Sequence, residues 1–194
     1  HQSGPLASLV MRSLLVSAHR SEDDRWMGDG YSTETLITRL LGSSRARTTD
    51  SLNEGGHAMT LGSIRHEIVI ERSASTVWEL AGDAGRLHEW FPGIVSLDLD
   101  GTKRTIHLAG GLSMPEDIVI NDQLARRFEY SISLPIFVFH RGTIDVIAMG
   151  DNRCMVVYAC EADPRTMALI ISGGCYRALQ ELKRQMELST EATN

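Results

Sequence analysis

The sequence lacks most of what marks the easily recognised functional classes. No run approaches the ~18 consecutive apolar residues that a membrane-spanning helix needs. Basic residues are in deficit, 19 Lys and Arg against 25 Asp and Glu, for a formal net charge of −6. A nucleic-acid binder would ordinarily show the opposite balance, so no nucleic-acid partner is expected. Cysteine is scarce: Cys154, Cys160 and Cys175 are odd in number and have no CxxC spacing. They read as reduced packing residues of a cytoplasmic protein, not as a disulfide frame or a zinc site. The seven histidines, at positions 1, 19, 57, 66, 88, 107 and 140, have no metal-ligand spacing. There is no GxSxG, no P-loop and no GxGxxG after a strand. No metal and no cofactor are expected.

What is present divides at about residue 58. Pro5 to His19 is mildly apolar, but Arg12 interrupts it and no basic segment precedes it, which argues against a secretory signal. Ser32 fits as the cap of a short helix over Thr33 to Leu41. Gly42 to His57 is rich in Ser, Gly, Thr and Arg, with almost nothing to bury, and reads as a disordered linker. Residues 1–58 are therefore expected to be either an N-terminal extension or non-native sequence ahead of a start at Met59. Residues 59–194 are expected to form one domain.

From Ser63 onward the pattern is strongly periodic. Ile64, His66, Ile68 and Ile70 alternate with charged residues and Val69, as in a half-buried strand. Ser73 or Ser75 then caps a segment ending at Pro92, with Trp78, Leu80, Leu87, Trp90 and Phe91 supplying more apolar surface than so short a stretch can bury on itself. Six further strand patterns follow, over Ile94–Leu99, Lys103–Ala109, Ser113–Ile120, Arg127–Leu134, Phe139–Met149 and Cys154–Ala162. Asp100-Gly101, Gly110-Gly111 and Asp151-Asn152 are the turns. Asp163-Pro164 reads as a helix start, with Asp163 as cap and Pro164 at the first helical position. The helix runs to about Leu188, with Met167, Ile170, Ile171, Gly174, Cys175, Ala178, Leu179, Leu182 and Met186 on one face. An α+β domain follows, with about seven antiparallel strands, two short helices after the first, and a long C-terminal helix on the sheet.

This order of elements resembles the helix-grip fold of the START-like superfamily, and within it the polyketide cyclase/dehydrase-type (SRPBCC) proteins. The resemblance covers roughly Ser63 to Leu188. It rests on Trp78, Asp83 and Trp90-Phe91-Pro92 in the helical insertion, on Glu116, Asp122 and Arg127-Phe128-Glu129-Tyr130, and on Asp163-Pro164. His140, Tyr158 and Ala162 stand where members often carry a tyrosine, a tryptophan and an aromatic residue. The resemblance implies a curved sheet wrapped around the last helix, with a ligand cavity between them. It also implies a monomer or homodimer that binds a hydrophobic small molecule.

Strand alternation nominates a lining for that cavity. If Ile144 and Val146 face inward, so do His140 and Gly142. Tyr158 shares a face with Val156 and Cys160, and Phe128 and Tyr130 share one with Ile132. His107 lies between Ile106 and Leu108, with its direction open. The candidate ligand-binding residues are thus His107, Glu116, Phe128, Tyr130, His140, Tyr158, Met167, Ile170 and Gly174. They place a few polar tips among apolar surface, the usual composition of a small-molecule site. As core residues, the same tyrosines and histidines would need internal hydrogen-bond partners instead. Two functions fit: a carrier of a lipid-, polyketide- or quinone-like molecule, or a cyclase/aromatase or dehydratase with His140 as base and Tyr158 or Tyr130 as orienting donor. A third places the chain beside ribosome-associated or quinone-binding relatives, although its acidity argues against RNA contact. Gly173-Gly174, in the middle of a helix, either admits a bound molecule to the backbone or makes room for a bulky strand residue such as Phe128 or Tyr158. Trp78, Trp90 and Phe91 are expected to pack the small helices against the sheet edge and the cavity mouth.

Overall fold

A computed structural model describes residues 61–188. The expected helix over Thr33–Leu41, the linker and the extension over 1–58 lie outside the described residues.

Strand β1 (Gly62–Ile70) is followed by helix α1 (Ala74–Ala81), a 3-10 turn (Ala84–Arg86) and helix α2 (Leu87–Trp90). Strands β2 (Ile94–Asp100), β3 (Lys103–Leu108), β4 (Ser113–Asp122), β5 (Arg127–Ile132), β6 (Phe139–Ala148) and β7 (Cys154–Asp163) form an antiparallel meander, and helix α3 (Arg165–Leu188) ends the domain. The sheet order is β1-β7-β6-β5-β4-β3-β2. The chain therefore crosses between β1 and β2 from one sheet edge to the other, and α1 and α2 make that crossing. Register shifts within β2 (Ile94/Ser96) and within β4 (Ile118/Ile120) add local twist, which helps the sheet curl around α3.

Local chemistry explains the boundaries. Ser73 caps α1, its hydroxyl accepting from the Thr76 amide. Asp83 opens the 3-10 turn in the same way, accepting from the Gly85 amide at 2.8 Å. Gly101, at φ +57°, takes the left-handed position in the β2–β3 turn. The C-terminal junction differs from the sequence expectation. Asp163 does not cap the helix: it pairs with Phe139 as the last residue of β7, its carbonyl accepts from the Val138 amide, and α3 begins at Arg165. The sheet ladder claims that residue before the helix can.

At about 1.5 Å per residue, the 24 residues of α3 span roughly 36 Å. The helix buries Met167, Ala168, Ile171, Cys175, Ala178, Leu179 and Leu182 against β1 and β7. The concave face of the sheet supplies the other wall: Ile106 and Leu108, Met114, Phe128, Tyr130 and Ile132, Ile144 and Val146, Val156, Tyr158 and Cys160 are all buried. Trp78 and Trp90 are buried too, and pack the helical insertion onto this core. No described helix is long and apolar enough to cross a membrane.

Candidate functional site

Between α3 and the concave face lies a small interior cavity of about 40 Å³, far below the several hundred Å³ of an open small-molecule site. Its walls are Ile106 and Leu108 from β3, Met114 and Glu116 from β4, Tyr130 and Ile132 from β5, Tyr158 from β7, and Ile170, Ile171 and Gly174 from α3. Leu87, Phe91 and Ile94 close it at the end of α2. Phe91 and Ile94 also border a much larger surface groove of about 670 Å³, whose other walls include Trp90, Pro92, Gln180, Arg177 and Arg184. These two side chains therefore separate a small apolar interior from a broad opening.

Each polar side chain that lines the cavity has an identifiable partner. Arg104 on β3 and Glu116 on β4 are register partners, and both point inward because each shares its face with apolar neighbours. Both are almost completely buried; Arg104 Nε donates to Glu116 Oε2 at 2.7 Å, and Nη2 lies 2.7 Å from the same oxygen. Arg104 Nη1 donates to the Ala84 carbonyl at 3.1 Å, and the guanidinium stacks over the Phe128 and Tyr130 rings, 5.2 and 5.5 Å from their centroids. Burial pushes the Glu116 carboxyl upward, and the charge of Arg104 pulls against that rise. The Tyr130 and Tyr158 hydroxyls meet at 2.8 Å, and burial raises both well above the ordinary phenol value. Gly142, opposite Tyr130 on β6, makes room for that ring: a Cβ there would lie 2.4 Å from Tyr130 Cε1.

His140 is buried but is not part of the cavity wall. Its Nδ1 accepts the Ile132 amide at 3.1 Å, which places the proton of the neutral ring on Nε2, 3.5 Å from Cys160 Sγ. Burial lowers its pKa to about 4. A general base needs a free lone pair facing the substrate, and this one already binds a backbone amide.

Of the nine residues nominated from sequence, Glu116, Tyr130, Tyr158, Ile170 and Gly174 line the cavity together. Phe128 and Met167 are buried in the surrounding core. His107 faces the other way: its ring bonds Ser113 Oγ and Asp98 Oδ2 on the outer face, because Ile106 and Leu108 take the inner one. The Gly174 floor meets Phe91 rather than Phe128 or Tyr158; a Cβ there would lie 3.1 Å from Phe91 Cζ. Sequence reasoning missed Arg104, although its alternation with Ile106 and Leu108 assigns it to the apolar face. It placed Phe91 at the cavity mouth, where the ring indeed stands, but did not nominate it as part of the cavity wall.

A family model described as polyketide cyclase / dehydrase and lipid transport matches residues 62–187, almost the whole described domain. The chain belongs to this family. No curated protein matches it. Among solved structures, XoxI from Bacillus cereus superposes with a TM-score of 0.62 at 22% identity, over 67% of this chain and 98% of that one. The di-domain aromatase/cyclase BexL of the BE-7585A biosynthetic pathway gives 0.56 at 22% identity, over 66% of this chain and 47% of its own. Norcoclaurine synthase from Thalictrum flavum, in complex with dopamine and hydroxybenzaldehyde, gives 0.56 at 17%, over 75% of this chain and 99% of that one. At these identities the likeness establishes the helix-grip fold.

Proposed function

We propose that this polyketide cyclase/dehydrase family domain is a carrier of a hydrophobic or aromatic small molecule, held between α3 and the sheet. The observation that carries the reading is the composition of the cavity wall. It is apolar throughout except for Glu116 and the Tyr130–Tyr158 hydroxyl pair, the pattern of a site that orients a greasy ligand by a few polar contacts. The cavity is contracted to about 40 Å³, so binding requires the Phe91 end to open. Thermal unfolding of the purified protein with fatty acids, flavonoids, quinones and aromatic polyketides tests this directly. A ligand at a hundred times its Kd adds about 2.7 kcal/mol of stability. Absence of stabilisation by every apolar ligand, in the wild type and in an opened Phe91→Ala variant, would refute it.

A second reading, an enzyme of the cyclase/aromatase or dehydratase type, is supported by one feature. Nε and Nη2 of Arg104 both reach Glu116 Oε2, leaving Oε1 to the cavity occupant. A carboxyl group raised by burial, in one cavity with a tyrosine hydroxyl, can take a proton from, or return one to, the carbon next to a ligand carbonyl. His140, with its lone pair engaged, would support the wall and not react. Glu116→Gln separates the two readings: a carrier keeps its ligand affinity and has no turnover to lose, whereas an enzyme keeps binding and loses its rate.

A further inference from the structure

The large groove outside Phe91 holds an arginine that differs from other arginines of this fold. In Arg86, Arg104, Arg141 and Arg184 the edge of the guanidinium formed by Nε and Nη2 faces a glutamate carboxylate, on Glu89, Glu116, Glu161 and Glu181 respectively. In Arg177 the same two nitrogens are buried and have no hydrogen-bond partner among the described residues. The carboxylates of the groove wall are already engaged: Glu89 by Arg86, and Glu181 by Arg184 and Gln185. The groove contains another unanswered donor, Trp90 Nε1, on a side chain only 1% exposed. Buried polar groups are almost always satisfied, so unpartnered donors on two residues that line one groove call for an acceptor that the described residues do not supply. Burial lowers the Arg177 pKa with no neighbouring acid to oppose the shift.

Arg177 is also placed for a ligand that continues inward. Nη1 packs above Gly173, 3.7 Å from where a Cβ would stand, and the Phe91 ring covers the adjacent Gly174. The Gly173-Gly174 pair is therefore a common floor for the cation and for the side chain that closes the cavity. We propose that Arg177 is the headgroup site of an amphipathic carboxylate: its planar Nε/Nη2 edge takes the two carboxylate oxygens at the groove, while the apolar body passes Phe91 into the cavity. This deepens the carrier reading and rests on it. Two parallel N–H···O bonds to a planar two-oxygen acceptor select a carboxylate over an alcohol or ester. Displacing Phe91 from Gly174 opens the interior, and ligand entry must uncover the buried Nε/Nη2 edge in the same opening.

The test uses the full chain loaded with the neutral dye Nile red, displaced by dodecanoate or by dodecan-1-ol at pH 8. The wild type should release dye at a dodecanoate concentration roughly tenfold or more below that of dodecanol, the scale of a charge-assisted pair. Arg177→Met should erase that preference while leaving the dodecanol midpoint within about threefold. Arg177→Gln, which keeps polarity without charge, guards against a misfolded methionine variant, and a carbon-13 carboxyl signal of labelled dodecanoate reports the bound ionisation state. Equal displacement by acid and alcohol would overturn the headgroup assignment and leave the cavity reading standing. A preference that survives both variants would also overturn it. Failure of the protein to take up dye, acid or alcohol would refute the cavity itself.

Discussion

Arg104 and Arg177 sit in opposite walls of the grip, one on β3 and one on α3, and they are treated in opposite ways. Arg104 lies behind the sheet-side floor of the cavity, which Glu116 helps to form, with a carboxylate, a backbone carbonyl and two aromatic faces around it. Arg177 lies at the mouth with two buried nitrogens and no acceptor for them among the described residues. A fold can hold a buried charge at low cost only by supplying its partners from the same chain, and β3–β4 register does this for Arg104. The mouth lacks such a partner. The difference separates a polar cluster that shapes the site from one left open at its entrance.

The comparison breaks most visibly at the floor. Glu116→Ala leaves the Arg104 guanidinium buried and unpaired, with an expected loss of about 3–5 kcal/mol. Urea unfolding reads the loss directly. The double variant Arg104→Met with Glu116→Leu should recover most of it, because replacing a buried ion pair by apolar groups of similar volume is often close to neutral. If Glu116→Ala costs under 1 kcal/mol, the floor is wet and the contrast with Arg177 disappears.

Next in size is a pH effect from the neighbouring wall. With a folded pKa of about 4 against an ordinary 6.5, His140 is neutral in the native state where the unfolded chain already binds a proton. Its contribution is complete above pH 6.5 and is lost as pH falls from 6.5 towards 4, in total about 3 kcal/mol. The groups that touch it are the Ile132 amide, Cys160 and the Tyr130 and Phe137 rings, none of which titrates in that window. The slope of stability against pH should therefore flatten in His140→Gln. An unchanged slope would place His140 in water rather than in the wall.

The hydroxyl pair comes third. Tyr130→Phe removes one of two buried hydroxyls that bond each other and should cost about 1–3 kcal/mol, the usual penalty for stranding a buried polar partner. Tyr158→Phe on that background should cost little more, since no unpaired hydroxyl then remains. A strictly additive double variant would show that each hydroxyl has another partner.

Sequence made the sheet, its hairpins and the helix stripe legible because alternation and the 3.6-residue period report burial residue by residue. Five nominated residues meet in one cavity for that reason. His107 shows the limit of the same rule: alternation fixes which residues share a face, but the inner face had to be identified from Ile106 and Leu108. The seating of Phe91 on Gly174 and the place of Arg177 lay beyond it. Their meaning comes from a contact between α2 and α3, about 80 residues apart in the chain, across a glycine pair whose lack of side chains shows that something approaches but not what. Asp163 was misread for a related reason, since a local cap signal cannot see the ladder that β6 extends to it.

The smallest effect is expected at Arg177, and it is the sharpest test of the contrast. Removing a cation that has no acceptor strands nothing, so Arg177→Met should change stability by no more than about 1 kcal/mol, on the stabilising side. The methionine keeps an unbranched aliphatic stem on α3, while the unsatisfied nitrogens disappear. The same substitution at Arg104 without a compensating change at Glu116 should cost several times as much, because it leaves a carboxylate buried alone. Thermal unfolding of both variants in one buffer, without ligand, makes the comparison. If Arg177→Met destabilises as strongly as Arg104→Met, the mouth arginine has an internal acceptor. It would then belong to the scaffold, and the groove would have no charge to offer a ligand.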